Sequence, residues 1–194
     1  MHPDLQSVAV PTSDDIMISG KVGDPYNTGE SGIVDPILLQ FLKYYVHISG
    51  NMETETLRDL VGTEYIPYLD RIKVMCEAPY AVANGIELVS LTKESAKMRK
   101  VVRPDDLNSN GVAHGAVLFG LIDHTFAMAA NVICDGVGQS CNIIYHRPVT
   151  GKVIETESRL INESRSLIIY DVRLFCDGKL CTSATCTGFK TKKE

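Results

Sequence analysis

The stretch that most constrains the fold is residues 115–131, GAVLFGLIDHTFAMAAN. At 3.6 residues per turn, its apolar side chains fall on every side of a helix. Those side chains include Val117, Leu118, Phe119, Leu121, Ile122, Phe126 and Met128. A helix that is apolar all round is normally buried, so the rest of the chain is expected to wrap it. One carboxylate, Asp123, stands in the middle of this stretch.

Four strand-like segments follow the helix, at residues 139–147, 152–162, 166–176 and 179–190. Parallel strands need crossovers of a dozen or more residues, so the short links here force antiparallel pairing. The Asp177-Gly178 pair predicts a two-residue hairpin. Alternating apolar and polar residues predict a further strand or hairpin within 84–103. The sequence therefore predicts an α+β fold, with one long helix against five or six antiparallel strands.

Three parts of the chain differ in composition. Residues 1–35 are rich in Gly, Pro, Ser and Asp and are expected to form a flexible arm. Residues 36–78 form a predicted helical extension, with helices over 36–48, within METETLRDLVG and within PYLDRIKVMCEA. Residues 79–194 form the main domain. We expect the N-terminal segment to pack on that domain and to limit access to its site.

Charge and cysteine content exclude several classes of protein. The formal net charge is −5, with eleven acidic and five basic residues in 1–75, so a nucleic-acid partner is not expected. The longest apolar run, residues 116–122, is far below the ~20 residues that a bilayer span needs. Without a signal-peptide pattern, a cytoplasmic location away from membranes is expected. The six cysteines lack CxxC or zinc-finger spacing, so we expect free thiols and no metal.

Two interpretations of Asp123 are open from the residues alone. It is either a buried acid satisfied by an N–H group or a cation, or a catalytic group in a cleft. The start of the helix favours the second, because its first N–H groups lack internal partners and attract negative charge. Gly115 leaves its own N–H sterically open, as an oxyanion site requires.

Asp123 and Gly115 are eight residues apart, roughly 12 Å along a helix axis. That distance is long for two groups of one helix that act on the same atom. They act together if one of them comes from a symmetry-related chain. A homodimer with its site across the dimer interface is therefore expected.

The stretch NSNGVAHGAVLFGLIDHTFAMAAN resembles the signature of hotdog-fold acyl-CoA thioesterases of the phenylacetic acid degradation (PaaI-like) type. In that signature an Asn precedes a His by six residues, and an Asp follows the His by nine. Asn108, His114 and Asp123 keep both spacings. A second segment, SCNIIYHRPVTGKVIETESRL, also resembles the family. The resemblance covers about residues 80–190 and implies a long central helix wrapped by a curved antiparallel sheet. It also implies a homodimer or a homotetramer built as a dimer of dimers.

The same resemblance implies the hydrolysis of an acyl-CoA thioester, with no cofactor beyond the CoA of the substrate. Asp123 is then the nucleophile or general base, and the N–H of Gly115 polarises the thioester carbonyl. Asn108 helps to place water or the carbonyl, and His114 shapes the turn or touches the thioester.

Weaker candidates for contact with the substrate or CoA are Ala116, Gly138, Gln139, Ser140 and Arg165. Ala116 replaces the second glycine of the family signature. Gly138 stands where some relatives place a Ser or Thr beside the water. Arg165 occupies a turn whose family counterpart meets the CoA nucleotide, and Arg suits phosphate recognition. His124 points about 100° away from Asp123 around the helix and is expected to pack rather than to react.

The main alternative is a non-catalytic acyl-CoA sensor or regulator built on a hotdog domain. The acidic N-terminal segment disfavours contact with DNA, and a pure sensor has no use for Asp123. A third alternative is a hotdog enoyl-CoA hydratase. That enzyme needs an Asp/His pair at a spacing that this sequence lacks.

Overall fold

The structure, a computed structural model, describes residues 54–191 of the 194-residue chain. The predicted arm (1–35) and the predicted helix over 36–48 lie outside these residues. The helices are α1 (Thr54–Leu60), α2 (Leu69–Cys76), α3 (Pro79–Asn84) and α4 (Gly115–Asn131), with 3₁₀ turns at Thr63–Tyr68 and Pro104–Asp106. The strands are β1 (Ile86–Leu91), β2 (Ala96–Val101), β3 (Gly136–Tyr145), β4 (Val153–Glu163), β5 (Leu167–Cys176) and β6 (Lys179–Lys190).

The six strands form one antiparallel sheet in the order β1-β2-β4-β5-β6-β3, and α4 packs across it. The α+β architecture and the long helix over 115–131 are confirmed. The hairpin signal is confirmed too: Asp177 and Gly178 have φ of 50° and 69°, and a type I′ turn needs both angles positive. None of the helices within 54–191 is long and apolar enough to cross a bilayer.

The core lies between the sheet and α4. Alternate residues of β5 are buried, as expected for a strand with one face on a core. The helix contributes a row of buried α4 side chains to the same core, namely Leu118, Leu121, Ile122, Thr125 and Met128. The polar member is satisfied, because the Thr125 hydroxyl donates to the carbonyl of Leu121 at 2.6 Å and also contacts the Thr156 hydroxyl at 2.6 Å. Each fully buried aliphatic side chain contributes roughly 1.5–3 kcal/mol.

One face of α4 is open. Ala116, Phe119 and Asp123 are exposed, and helical spacing places them on one strip. The expectation that α4 is buried on every side is therefore wrong for the single chain. The reason is geometric: the sheet covers one side of the helix, and the helical extension covers only part of the rest.

Helices α1–α3 pack against α4 and the β1 edge of the sheet. They are together called the extension from here on, so the extension includes α3, which lies beyond residue 78. Leu57, Ile72 and Ala81 have no exposed surface and belong to the same apolar core as the strands. At the sheet edge, Val61 forms a parallel bridge with Leu91, and the N–H of Gly62 donates to the Leu91 carbonyl at 2.7 Å. The predicted helices within 52–62 and 67–78 are observed as α1 and α2.

A buried ion pair ties α3, β2 and the loop before α4 together. Lys100 is 1% exposed, and its Nζ donates to Asp106 Oδ2 at 2.8 Å and to the carbonyl of Asn84 at 2.6 Å. Asp106 Oδ2 also accepts from the N–H of Arg103 at 2.8 Å. Burial opposes the ionisation of Asp106. The hydrogen bonds and positive charge of its partners outweigh that effect and lower its pKa.

We predict that Asp106→Ala lowers the free energy of unfolding by about 3–5 kcal/mol, because it leaves Lys100 charged and buried without its partner. A group with a lowered native pKa stabilises the fold above its unfolded pKa of about 3.9, and that contribution is lost as the pH falls through the native value. The difference in free energy of unfolding between the variant and the wild type should therefore become smaller at acidic pH. Urea unfolding at neutral and acidic pH measures both effects.

The matched control is Glu87→Ala, which breaks the exposed pair of Arg99 with Glu87. An exposed pair contributes about 0–1 kcal/mol, so this variant should unfold close to wild type. Equal losses in the two variants would show that the buried pair has no special role.

Candidate active site

The start of α4 is capped by His114. Its Nδ1 accepts the N–H of Ala116 at 3.0 Å, and its own N–H donates to the carbonyl of Asp106 at 2.8 Å. Because Nδ1 is the acceptor, the ring is neutral in this arrangement and carries its proton on Nε2. His114 therefore shapes the turn, one of its two expected roles, and keeps a ring N–H donor.

Gly115, the first residue of α4, has a backbone N–H that no acceptor within residues 54–191 engages. A Cβ at this position would lie 3.3 Å from the Tyr145 hydroxyl, so a larger residue is crowded. That hydroxyl donates to the Gly115 carbonyl at 3.2 Å. The free N–H at the positive end of a 17-residue helix is suited to a polarised carbonyl.

A cleft of about 570 Å³ opens at this helix start. It is lined by Ala113, His114, Gly115, Ala116, Leu118, Tyr145, His146, Arg147, Pro148 and Val149. His146 is fixed by its Nε2, which lies 2.8 Å from the Ser183 hydroxyl. Tyr145 was not predicted as a site residue. Its position depends on the pairing of β3 with β6, which no local spacing in the sequence reveals.

Asn108 folds the turn that leads into the helix. Its Oδ1 accepts from the N–H of Asn110 at 2.8 Å and of Val112 at 3.4 Å, and Gly111 completes the turn at a φ of 73°. The side-chain oxygen is thus used within the loop. The amide NH₂ group remains as the donor that a substrate or water can use.

Asp123 is exposed, and within residues 54–191 its carboxylate forms no hydrogen bond or salt bridge. The interpretation as a buried, paired acid is therefore wrong, since the sheet lies on the other side of α4. Neighbouring atoms still desolvate the carboxyl on its inner side. This raises the pKa of Asp123 above its ordinary value, and the charge of His124 offsets part of the rise.

His124 faces the extension rather than the open strip. Burial lowers its pKa, against the opposing effects of the Asp123 charge and of a hydrogen bond to the Met75 backbone. A histidine held against the end of α2 is a packing residue, in line with its predicted role.

The candidates on β3 point to different sides of the sheet. The register shifts between Gly138 and Ser140, which leaves Gln139 as the bulged residue. Gly138 faces the helix side, where a Cβ would lie 3.9 Å from the Phe126 ring. Ser140 faces the opposite side of the sheet, in a depression shared with Asn142 and Asp171. The structure therefore does not bring Ser140 to α4.

Arg165 lies in the exposed turn between β4 and β5. Its neighbour Ser166 accepts from the N–H of Lys190, at the end of β6 that pairs with the start of β3. The cleft at Gly115 lies at the other end of β3, beside Tyr145. Within one chain, Arg165 and the cleft are therefore at opposite ends of the sheet.

Comparison with known proteins identifies the class. Residues 110–182 match the profile of the thioesterase superfamily. The acyl-coenzyme A thioesterase PaaI of Escherichia coli is 28% identical over 96 residues, which is 48% of this chain and 69% of that protein. The TT0310 protein of Thermus thermophilus is 34% identical with a TM-score of 0.56, covering 58% of this chain and 97% of that one.

Two further solved structures agree. A mutant of the phenylacetic acid degradation protein PaaI from Thermus thermophilus is 33% identical with a TM-score of 0.57, covering 58% of this chain and 99% of that one. A Streptococcus pneumoniae thioesterase structure with coenzyme A is 25% identical with a TM-score of 0.54, covering 59% of this chain and 93% of that one. The chain belongs to the PaaI-like hotdog-fold thioesterases and is a thioester hydrolase.

We predict that His114→Ala lowers the free energy of unfolding by about 1 kcal/mol, because the N–H of Ala116 loses its cap. The free energy of unfolding of His114→Asn should stay within a few tenths of a kcal/mol of the wild-type value, since Asn is among the best capping residues. Thermal unfolding distinguishes the two, because 1 kcal/mol shifts Tm by about 2–4 °C in a chain of this size.

The control is His146→Ala, which removes an imidazole from the same cleft without touching a helix start. Identical melting of the alanine and asparagine variants at position 114 would contradict the capping role.

Proposed function

We propose that this protein hydrolyses an acyl-CoA thioester to the free acid and CoA, with Asp123 as nucleophile or general base. The observation that carries the proposal is that one helix holds both a hydrogen-bond acceptor and a hydrogen-bond donor without partners. Asp123 is an exposed carboxylate without a partner, and Gly115 offers an unengaged N–H, both within 54–191. The acyl-CoA substrate is inferred from the family and from the relatives named above.

In the proposed reaction, the N–H of Gly115 donates to the thioester carbonyl oxygen and stabilises the negative charge that develops on it. Asp123 either removes a proton from the attacking water or attacks the carbonyl itself. The second route gives a mixed anhydride that water then opens. The thiolate of CoA leaves and takes up a proton in either case. A carboxylate with a raised pKa is a stronger base, so the desolvation of Asp123 favours its role.

We infer that the working unit is a homodimer. β3 is a ten-residue edge strand with most of its residues exposed, and an open edge of that length invites pairing with another chain. Exposed apolar residues continue from it onto α4: Phe119 is 39%, Val137 57% and Tyr145 51% exposed. A patch of this kind marks an association surface.

A two-fold axis at this edge and perpendicular to β3 pairs each strand and helix with its own copy in the opposite direction. Gly115 of one chain and Asp123 of the other then approach one substrate. The separation of roughly 12 Å along a single helix is then no obstacle to their acting on the same atom. The same operation moves Arg165 of one chain toward the other chain's cleft, where it is placed to meet a CoA phosphate. Asn108, Ala116, Gly138 and Gln139 remain candidate contacts around this shared site.

We predict that Asp123→Asn lowers kcat/KM at least about 100-fold in a thiol-release assay on a panel of acyl-CoA esters. For wild type, kcat/KM should fall as the pH drops through the raised pKa of Asp123, since the carboxylate form is the active one. A raised native pKa also means that the charged form destabilises the fold at neutral pH. The variant should therefore melt at the same temperature as wild type or higher.

Asp59→Asn, an exposed acid on α1, is the matched control and should keep full activity. An Asp123→Asn enzyme as active as wild type would overturn the mechanism. If neither protein releases thiol but both bind CoA esters tightly, the protein is an acyl-CoA sensor instead.

We predict that Phe119→Arg converts the dimer to monomers and lowers kcat/KM at least about tenfold, because an arginine on the open strip cannot be buried against its copy without a partner charge. Light scattering after size exclusion gives the mass, and the thiol-release assay gives the rate. Val74→Arg, at a site 69% exposed on α2, should change neither. An active monomer would contradict a site shared between chains.

A further inference from the structure

Tyr80 comes from the helical extension and lies outside the stretch that matches the thioesterase superfamily, residues 110–182. It is the second residue of α3, a helix of six residues. None of the predicted site residues comes from this part of the chain. Tyr80 nevertheless reaches the helix that carries Gly115 and Asp123.

The backbone of α3 is held at both sides. Ala81 is fully buried, and the carbonyls of Ala83 and Asn84 at its C-terminal end accept from Arg103 at 3.0 Å and from Lys100 at 2.6 Å. Cations at a helix C-terminus are favourable. These contacts fix the direction in which Tyr80 projects.

The Tyr80 ring lies on Gly120 of α4. A Cβ at Gly120 would stand 3.1 Å from the ring Cζ and closer still to the hydroxyl, so a larger residue here would displace the tip of the Tyr80 side chain. Glycine within a helix costs about 1 kcal/mol relative to alanine, and this packing explains its presence. Tyr80 is 53% exposed, so it is in contact with α4 on one side and open on the other.

Helical spacing places this contact beside the candidate site. Gly120 is four residues after Ala116 and three before Asp123, and residues at these separations are neighbours on a helix surface. Ala116 and Asp123 are both on the open strip of α4. The ring therefore borders that strip between the helix start and the carboxylate.

The surface next to Tyr80 is apolar. Ala116, four residues before Gly120, is the residue of the strip that adjoins Tyr80 there. The basic side chains of Arg147 and Arg165, which suit the phosphates of CoA, lie at the ends of the sheet. An apolar surface beside the reacting carbonyl fits the acyl part of a thioester rather than its nucleotide.

We propose that Tyr80 is a specificity-determining residue that forms one wall of the acyl groove and limits the size of the acyl group. This inference rests on the proposed function, because it assumes that acyl-CoA occupies the strip of α4. It assigns to the extension a direct role in substrate selection.

The test is Tyr80→Ala against wild type, on acetyl-CoA, hexanoyl-CoA and phenylacetyl-CoA. Removing the ring widens the groove, so kcat/KM for the two larger esters should rise relative to acetyl-CoA by roughly tenfold, the scale on which apolar pockets discriminate size. Tyr80→Phe keeps the wall and should keep the wild-type ratios. Val74→Ala, an exposed change elsewhere in the extension, should also keep them.

Binding of non-hydrolysable thioether analogues of the same three esters gives a readout that does not need catalysis. If the wild type releases no thiol, the proposed function fails. A shift in the ratio of analogue Kd values in Tyr80→Ala would still support the role of Tyr80 as a wall of the acyl groove. Unchanged ratios in both assays would overturn the proposal. So would a uniform change for all three esters and for free CoA, because that pattern means contact with CoA or a general loss of structure.

Discussion

The ion pair between Lys100 and Asp106 is the interaction on which the site depends most. Lys100 belongs to the sheet, its second acceptor is the last turn of α3, and Asp106 belongs to the loop before α4. The carbonyl of Asp106 receives the N–H of His114, which in turn caps α4. A chain of direct hydrogen bonds thus leads from a buried lysine to the helix start. The placement of the Gly115 N–H and of the extension is set by the same cation.

The helix α4 has two roles that require different residues on its two sides. Its inner side supplies aliphatic residues to the core, whereas its outer strip holds a carboxylate, a phenylalanine and an alanine in the open. A sequence that is apolar on nearly every face is therefore not the mark of a fully enclosed helix here. Part of its apolar surface is suited to a second chain, and that surface also borders the carboxylate.

Local sequence was enough to predict most of the fold. Short links determined antiparallel pairing, and the Asp177-Gly178 turn and the bounds of α4 followed from residue type alone. The exposure of Asp123 could not be predicted, because it depends on how far the sheet curves around the helix. Tyr80 and Tyr145 were missed for a similar reason. Each reaches α4 from an element that is distant in sequence, and neither carries a motif.

The two edges of the sheet differ in a way that bears on assembly. The C-terminal end of the β1 edge is covered by its own chain, through the bridge from Val61 to Leu91 and the hydrogen bond from Lys93 N–H to the Glu64 carboxylate at 2.8 Å. The β3 edge carries no such cover within residues 54–191. A sheet with two free edges can add copies without limit and grow into a fibre, whereas a sheet with one free edge stops after a single self-pairing. In the proposed dimer, the extension therefore leaves β3 as the edge for strand-to-strand pairing.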